Sequence, residues 1–532
     1  MPLLKIDDQT FEVPKGARVL DEALKAGIEI PHYCYHPALS VVGSCRMCAV
    51  EIDGIPKLQT SCSTLVGELP PEKKFEGQYD MVVHTRSDKV VAARKSALEF
   101  LLLNHPLDCP VCDQAGECLL QDYSFKYGHA HSRFIEEKRV RPGEDLGSGV
   151  VINQNRCIMC TRCVRFTREI TGTHELFVEN RGNDNRIAVF DGHPLDNPLA
   201  GNVADICPVG ALLLKDYMHT TRVWLLSHTP STCTECTTGC SITVDGAKDR
   251  IYRIISRENA QANGHFICDY GRYAFHQYED DVLTTPQLKD GAEWTEISWE
   301  EAYQQVVDRI GEYGGQQAVR ALASPTFPNE SNYLLGQLMN QLTDKKSIAL
   351  LPVKQQEDQV FPMGFRISGD KGGNHRGARD VIHNLAAGTQ SFHKGDLGVL
   401  IVLDGDGRGE ITESIERLFA AAPFTVVLAS NRSDITRLAD LVLPVAGPFE
   451  REGTVTNDQG LVQWLQPAVQ LKGQARPDWQ VVAELSQALI GEGAMYTCAG
   501  DVTWKINQTI EAYSQITRFK IGKFGQFVES AA

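Results

Sequence analysis

The stretch HPLDCPVCDQAGEC runs from His105 to Cys118. It places a histidine ahead of a Cys-x-x-Cys pair, Cys109 and Cys112, and follows with Cys118. Two thiolates at that spacing reach one small metal centre without straining the backbone. Pro110 stiffens the first bite, and Gly116 lets the chain fold back so that Cys118 can close the cage. His105 supplies the fourth ligand, one imidazole beside three soft thiolates. Zinc readily takes sets of three cysteines and one histidine. An iron–sulfur cluster with histidine ligation would use the same residues, and the stretch alone leaves both open.

The rest of the chain bears on that choice. At 532 residues it is too long for one ordinary core, and about three to five domains are expected. A hydrophobic content of 42% and a charged content of 23% describe a soluble globular chain. No apolar run reaches membrane-spanning length. The opening MPLLKIDDQTFEV has neither a basic leader nor a signal-peptide core, so a cytosolic location is expected. A net charge of −16 argues against binding nucleic acid or anionic membranes by charge. In a reducing compartment the 16 cysteines point to metal before disulfides. All but Cys498 lie between Cys34 and Cys268, a crowding that packing roles would not produce.

Residues 1–78 read as a small β-rich domain. Leu4 and Ile6, then Phe11 and Val13, alternate across a turn at Asp7-Asp8-Gln9 and predict a hairpin. Val19, Leu20, Ala23 and Leu24 predict a short helix that Gly27 ends. Cys34, Cys45, Cys48 and Cys62 follow. Three cysteines on one loop and a distant fourth match the layout of plant-type [2Fe–2S] ferredoxins, with a longer first gap. Zinc stays possible, although the long loop suits a rhomb of two irons better. Ser87 to Leu103 reads as a helix capped by Ser87, with Val90, Ala93, Ala97 and Leu101 on one face. It leads straight into the His105–Cys118 loop.

Beyond a glycine-bearing linker, NRCIMCTRCVRF supplies Cys157, Cys160 and Cys163, the three-ligand bite of a [4Fe–4S] loop. Cys207-Pro208 in DICPVGAL completes it. STCTECTTGC adds Cys233, Cys236 and Cys240, and Cys268 closes a fourth set. Fifteen cysteines and His105 thus fill four sets of four. Cys498 reads as a small buried apolar residue.

The second half changes character. Gly398–Gly405, Phe424–Ser430 and Asp440–Pro444 read as strands and Glu410–Ala421 as a helix, with Pro477 opening another. Strand–helix–strand order predicts a parallel α/β sheet. Gly405, Gly407 and Gly409 do not form a dinucleotide fingerprint, because position 410 is Glu.

Taken together, C-x10-C-x2-C-x13-C, H-x3-C-x2-C-x5-C, C-x2-C-x2-C-x43-CP and C-x2-C-x3-C-x27-C resemble the large iron–sulfur subunit of respiratory complex I, the proton-pumping NADH:quinone oxidoreductase. The resemblance covers roughly residues 1–280. ADLVLPVAGPFEREGTVTNDQGLVQWLQPAV (Ala439 to Val469) resembles molybdopterin oxidoreductases. The fourth cysteine set points to a bacterial member.

The resemblance implies a multidomain α+β and α/β chain. Residues 1–78 would form a [2Fe–2S] β-grasp ferredoxin. Residues 79–125 would form a [4Fe–4S] domain with one histidine and three cysteine ligands, and 145–220 a [4Fe–4S] ferredoxin-like domain. A four-cysteine [4Fe–4S] domain would span 226–282, and a degenerate molybdopterin-oxidoreductase-like α/β domain 283–532. The resemblance further implies an electron wire with no complete active site of its own and no molybdopterin, FMN or NAD. Its partners would be an NADH-binding flavoprotein carrying FMN and quinone-side iron–sulfur subunits. It would sit in the peripheral arm on the cytoplasmic side of a bacterial inner membrane. The catalytic subunit of an NAD-dependent formate dehydrogenase is the rival reading, and a zinc-stabilised scaffold is another. Several features speak against a molybdenum site. Catalytic relatives carry a Lys two residues after the last cluster cysteine, where this chain has Tyr270. Only 264 residues follow Cys268, fewer than their layered subdomains are expected to need. Leu322 to Gly372 also shows little of their pattern, and no cysteine stands where a molybdenum ligand is expected. The basic, glycine-rich GDKGGNHRGAR (Gly369 to Arg379) is expected to be a remnant packed on neighbouring subunits.

Overall fold

The computed structural model describes residues 1–67, 78–147, 149–343, 347–382, 397–404, 406–491 and 496–529, with Ala386, Gly388 and Phe392. Gly405, the expected end of one strand, lies outside them. The chain forms two units, Met1–Leu225 with Phe361–Met363, and Leu226–Val360 with Gly364–Ala532.

In the first unit the expected hairpin forms. Leu3–Ile6 pairs antiparallel with Gln9–Glu12 in the register Ile6↔Gln9, leaving Asp7 and Asp8 as a two-residue turn with Asp7 at φ 49°. The sheet has five strands in the order Gln9–Glu12, Leu3–Ile6, Met81–His84, Ala49–Ile52, Ile55–Thr60. The helix Val19–Lys25 buries Val19, Leu20 and Ala23 against it, with Cys48 and Cys62 in the same core. This is the β-grasp arrangement. The boundary expected at residue 78 falls short, because Met81–His84 joins the two hairpins at the centre of the sheet. Its four residues, Met-Val-Val-His, do not alternate and so carry no strand signature.

The helix Asp88–Leu102 follows, with Ser87 Oγ accepting from the Val90 N–H. Its buried stripe is Val90, Arg94 and Leu98, not the line of Ala93 and Ala97. Arg94 takes its charge inward, donating to the Ala49 carbonyl at 3.2 Å and lying over the Tyr127 ring. Gly143–Gly147, Val150–Asn153 and Leu212–Leu214 then form a three-stranded antiparallel sheet. The Cys157 loop leaves one of its strands and Cys207 precedes another, which brackets the third cysteine set.

In the second unit Ser227–Thr232, Ser241–Ala247 and Arg250–Ser256 pair antiparallel, and the loop between the first two carries Cys233 to Cys240. A seven-stranded sheet dominates the rest, in the order Glu293–Glu296, Gln287–Asp290, Leu441–Pro444, Phe424–Ala429, Val399–Leu403, Val319–Ala323, Ile348–Leu350. The last five strands are parallel. Counted along the chain they read 2-1-3-4-5, a doubly wound order that reverses between Val319–Ala323 and Val399–Leu403. Thr412 caps the helix Glu413–Ala421, and Pro477 is the N-cap of Asp478–Ile490 instead of standing inside its first turn. The stretch from Leu322 to Gly372 supplies the helix Asn329–Leu342 and the edge strand Ile348–Leu350. That helix is buried on nearly all sides, polar first turn included, with Leu334, Leu335, Leu338, Met339 and Leu342 recurring at helical spacing. Among the described residues no helix is long and apolar enough to cross a membrane.

Within that first turn, Glu330 accepts from the Thr454 N–H at 2.7 Å, Thr454 Oγ1 at 2.8 Å and Thr503 Oγ1 at 2.7 Å. Burial pushes its carboxyl up to about 7. A raised carboxyl pKa favours the protonated side chain in the fold. Its stabilisation is therefore complete below the ordinary carboxyl range, is lost as pH climbs towards 7, and is level above. In Glu330→Gln that slope is expected to vanish. Thermal unfolding compared from about pH 5 to 8 should be flatter in the variant over the lower part of the range.

Candidate metal centres

The first cysteine set meets as two hydrogen-bonded pairs. The Cys45 thiol donates to Cys34 and the Cys62 thiol to Cys48; this pulls Cys34 down to about 5 and Cys48 to about 7, and pushes their donors up. Cys62 also feels Cys34 and Cys45, so the two pairs share one site. The Tyr33 N–H reaches Cys45 Sγ at 3.5 Å. Arg46, inside the Cys45–Cys48 bite, has φ 58°. Met159 (51°) and Thr161 (59°) sit likewise inside the bites of the third set. Left-handed non-glycine residues are uncommon and cluster at functional sites.

In the second set, Cys109 and Cys112 both act on Cys118, which burial pushes up to about 11. Cys118 Sγ lies 4.0 Å from the Pro208 carbonyl, and a Cβ on Gly210 would fall 2.2 Å from Cys112 Sγ. This set therefore backs directly onto the turn that follows Cys207. Burial, with Lys138 and Arg156, holds the His105 imidazole down to about 4, so it is neutral, the form that binds metal. Its Nδ1 is buried with no hydrogen-bond partner among the described residues. Such an atom is costly unless a further group takes it. Arg156 acts on both His105 and Cys112 and is held by Asp108 at 3.0 Å.

Cys157, Cys160, Cys163 and Cys207 line one small cavity, closed by Ile152, Ile187, Val209 and Leu212. Burial pushes Cys157 up to about 12 and Cys160 to about 11, and raises Cys163 and Cys207 as well. Main-chain N–H groups point back at the sulfurs, that of Met159 reaching Cys157 Sγ at 3.4 Å.

Cys233, Cys236, Cys240 and Cys268 also act on one another, and burial pushes Cys268 up to about 12. A Cβ on Gly271 would sit 2.9 Å from Cys233 Sγ and 3.7 Å from Cys268 Sγ, so both sulfurs face one glycine. The cation missing at Tyr270 arrives from elsewhere in the chain: Lys371 Nζ lies 5.7 Å from the Tyr270 ring centre and acts on Cys268. That removes one of the sequence reasons for excluding a molybdenum site. The GDKGGNHRGAR loop packs on this chain's own cysteine loop, where it was expected to meet neighbouring subunits. The Thr237 N–H donates to the Asp370 carbonyl at 3.0 Å, Thr237 and Ser368 hydroxyls are 2.7 Å apart, and a Cβ on Gly373 would fall 2.2 Å from the Thr234 carbonyl.

The structure thus brings together the cysteines within each of the four predicted sets. Among the described residues no three His, Cys, Asp or Glu side chains are gathered as they would be around a single metal ion. Buried thiols with N–H groups aimed at sulfur, and a ring nitrogen without a partner, are a donor set that iron–sulfur groups fit. Cys498 corrects an expectation. It is exposed, at the N-cap of Ala499–Thr509, not buried. Sequence reasoning missed Arg94, Arg156, Arg162, Arg165, Arg408 and Lys371; the arginines inside NRCIMCTRCVRF were in view, but their direction was not. Gly271→Ala would put a methyl group against two sulfurs. The expected outcome is a loss of roughly four irons per chain, by iron and sulfide analysis, with the other sets retained.

Five family models match the chain in order. They are the 2Fe-2S iron-sulfur cluster binding domain at 3–68, the NADH-ubiquinone oxidoreductase-G iron-sulfur binding region at 94–133, and the NADH-quinone oxidoreductase subunit 3 ferredoxin-like domain at 147–213. The molybdopterin oxidoreductase Fe4S4 domain follows at 226–279 and the molybdopterin oxidoreductase domain at 283–366 and 371–488, which corrects the expectation that Leu322 to Gly372 shows little of that pattern. The G-type subunit of the NADH-quinone oxidoreductase of Rickettsia felis is 37% identical over 339 residues, 64% of this chain and 49% of that protein. The NADH-ubiquinone oxidoreductase 75 kDa subunit of Reclinomonas americana is 36% identical over 363 residues, 67% of this chain and 51% of that protein. A solved NAD+-reducing [NiFe]-hydrogenase in the H2-reduced state matches 42% of this chain and 91% of its own at 32% identity, with a TM-score of 0.36. The chain spans about half the length of the curated relatives it matches. Over its matched residues it is a homologue of the G-type subunit of NADH-quinone oxidoreductase and of the NADH-ubiquinone oxidoreductase 75 kDa subunit, with domains for [2Fe–2S] and [4Fe–4S] clusters.

Proposed function

We propose that the chain is an electron-relay subunit of an NADH:quinone oxidoreductase. In this reading Cys34, Cys45, Cys48 and Cys62 hold one [2Fe–2S] cluster. Three [4Fe–4S] clusters fall to His105 with Cys109, Cys112 and Cys118, to Cys157, Cys160, Cys163 and Cys207, and to Cys233, Cys236, Cys240 and Cys268. The observation that carries it is one apolar core in the first unit. Cys45, Cys118, Cys157 and Cys207, from all of the first three sets, pack on Tyr33, Met47, Leu98, Tyr123 and Val209. When bound, such clusters are one-electron carriers whose potential the protein tunes. The chain's own residues keep the thiolates close together, exclude water between the sets and hold His105 neutral.

The donor would be a flavoprotein that binds NADH and FMN, and the acceptors quinone-side iron–sulfur subunits, in a peripheral arm on the cytoplasmic side of a bacterial membrane. The chain would meet the membrane only through that assembly. The five-domain division follows the four sets and the sheet, with the first domain extended to His84.

We propose further that the second unit takes no molybdopterin. Ligands of doubly wound sheets bind at the carboxyl ends of the strands where the order reverses, here beyond Leu403. The chain's own charges occupy that place. Arg408 donates to the Thr234 carbonyl at 2.6 Å and lies 3.6 Å from Glu235; Asp406 takes Arg408 at 3.1 Å and Arg451 at 3.0 Å. Arg451 lies in turn 3.5 Å from Asp478.

Anaerobically purified chain is expected to hold about fourteen irons and no molybdenum or tungsten. Clearly fewer irons alongside stoichiometric zinc would sink the relay reading, and molybdenum near one per chain with formate oxidation would favour the dehydrogenase. His105→Cys is expected to keep its cluster while changing that cluster's EPR signal, because a thiolate adds one negative charge among the ligands. An unchanged signal would remove His105 from the ligand set.

A further inference from the structure

Two arginines of the short helix Arg162–Arg165, which also carries Cys163, are buried: Arg162 is 7% exposed and Arg165 3%. Arg165 Nη2 donates to the carbonyls of Cys34, at 2.5 Å, and Cys160, at 3.2 Å. Its Nη1 donates to the Ser40 carbonyl and its Nε to that of Thr161. Arg162 donates to the carbonyl of Ile206, the neighbour of Cys207, at 3.0 Å, and to that of Tyr35, the neighbour of Cys34. One helix turn therefore ties ligand-bearing segments of the first set to those of the third.

Every oxygen these guanidiniums reach among the described residues is a main-chain carbonyl. Among the described residues neither ion-pairs with a carboxylate. Arg162 Nε is buried without a partner among the described residues, and Cys160, Cys207 and Cys34 act on Arg162, as do Arg165, His32 and Tyr123. Two adjacent buried cations are costly unless anions accompany them. Four thiolates around an iron–sulfide core leave roughly two net negative charges, and one more on reduction. Groups of that charge on either side would supply the missing counterions.

We infer that Arg162 and Arg165 form a shared cationic bridge between the Cys34–Cys62 and Cys157–Cys207 centres, which raises the reduction potential of both together. The inference rests on the ligand reading proposed above. A buried cation stabilises the added electron on either side, and the Arg165 fork touches the main chain of a ligand from each set. The charge is thereby held between the two sets.

The test is an EPR-monitored redox titration of the metal-loaded chain, with iron and sulfide measured on the same sample. In Arg165→Gln, which keeps an amide donor and loses the charge, iron is expected to match the unaltered chain. The potentials of the two-iron cluster and of the four-iron cluster at Cys157–Cys207 should both fall by at least a tenfold change in reduction constant, 59 mV for one electron. The His105 cluster should move less. Arg165→Lys should recover most of both shifts. A shift at one cluster only, no shift at either, or no recovery with Lys overturns the bridge. Should Arg165→Gln lose iron, Arg162→Gln gives the same reading, since the Arg165 fork stays in place. Absence of the two-iron or the Cys157–Cys207 signal from the unaltered chain would instead overturn the ligand reading.

Discussion

Four thiols buried together cannot all ionise unless positive charge comes between them, and the chain is arranged around that constraint. Burial alone drives Cys118, Cys157, Cys160 and Cys268 towards the neutral thiol. Metal reverses the balance by taking the proton's place. What the backbone contributes is access: N–H groups turned towards sulfur, and glycines at 210 and 271 where a methyl would collide with it. The left-handed Arg46, Met159 and Thr161 belong to the same design, since each bends a bite inward at some conformational cost.

Charge follows from that geometry. In the first unit Arg94, Arg162 and Arg165 are buried against carbonyls of residues at or beside cysteines. Arg156 differs, because Asp108 holds it. In the second unit the same need is met by a network, Glu235–Arg408–Asp406–Arg451–Asp478. Buried pairs of this kind add little net stability but are costly to break singly. They hold the Cys233 loop to the carboxyl edge of the sheet, and Gly373 supplies the close backbone approach to Thr234.

Much of the site was legible in the sequence because ligand spacing is a local property. Two or three residues between cysteines suggest which near neighbours share a centre, although Cys34, Cys62, Cys207 and Cys268 stand much further off along the chain. The same holds for the hairpin at Asp7-Asp8 and for the strands Val399–Leu403 and Phe424–Ala429, whose patterns are complete within a few residues. Met81–His84 was missed because its strand character comes from two neighbours distant in the chain. The helix Asn329–Leu342 was not read from the sequence, although Leu334, Leu338 and Leu342 recur at helical spacing; what only the fold shows is that its polar first turn is buried.

The sequence by itself suggested which residues could bind metal and how they would divide into four sets, and determined that an α/β sheet follows them. Only the tertiary structure decided where the compensating charges lie. Arg165 meets Cys34 across 131 positions, Arg162 meets Tyr35 across 127, and Lys371 comes to stand over Tyr270 from a separate loop. It also decided that Cys498 is exposed and that the glycine-rich loop covers a cysteine site. The reason is range. Coordination chemistry is written in neighbours along the chain, whereas the energy of a buried charge depends on whatever the fold brings within a few ångströms.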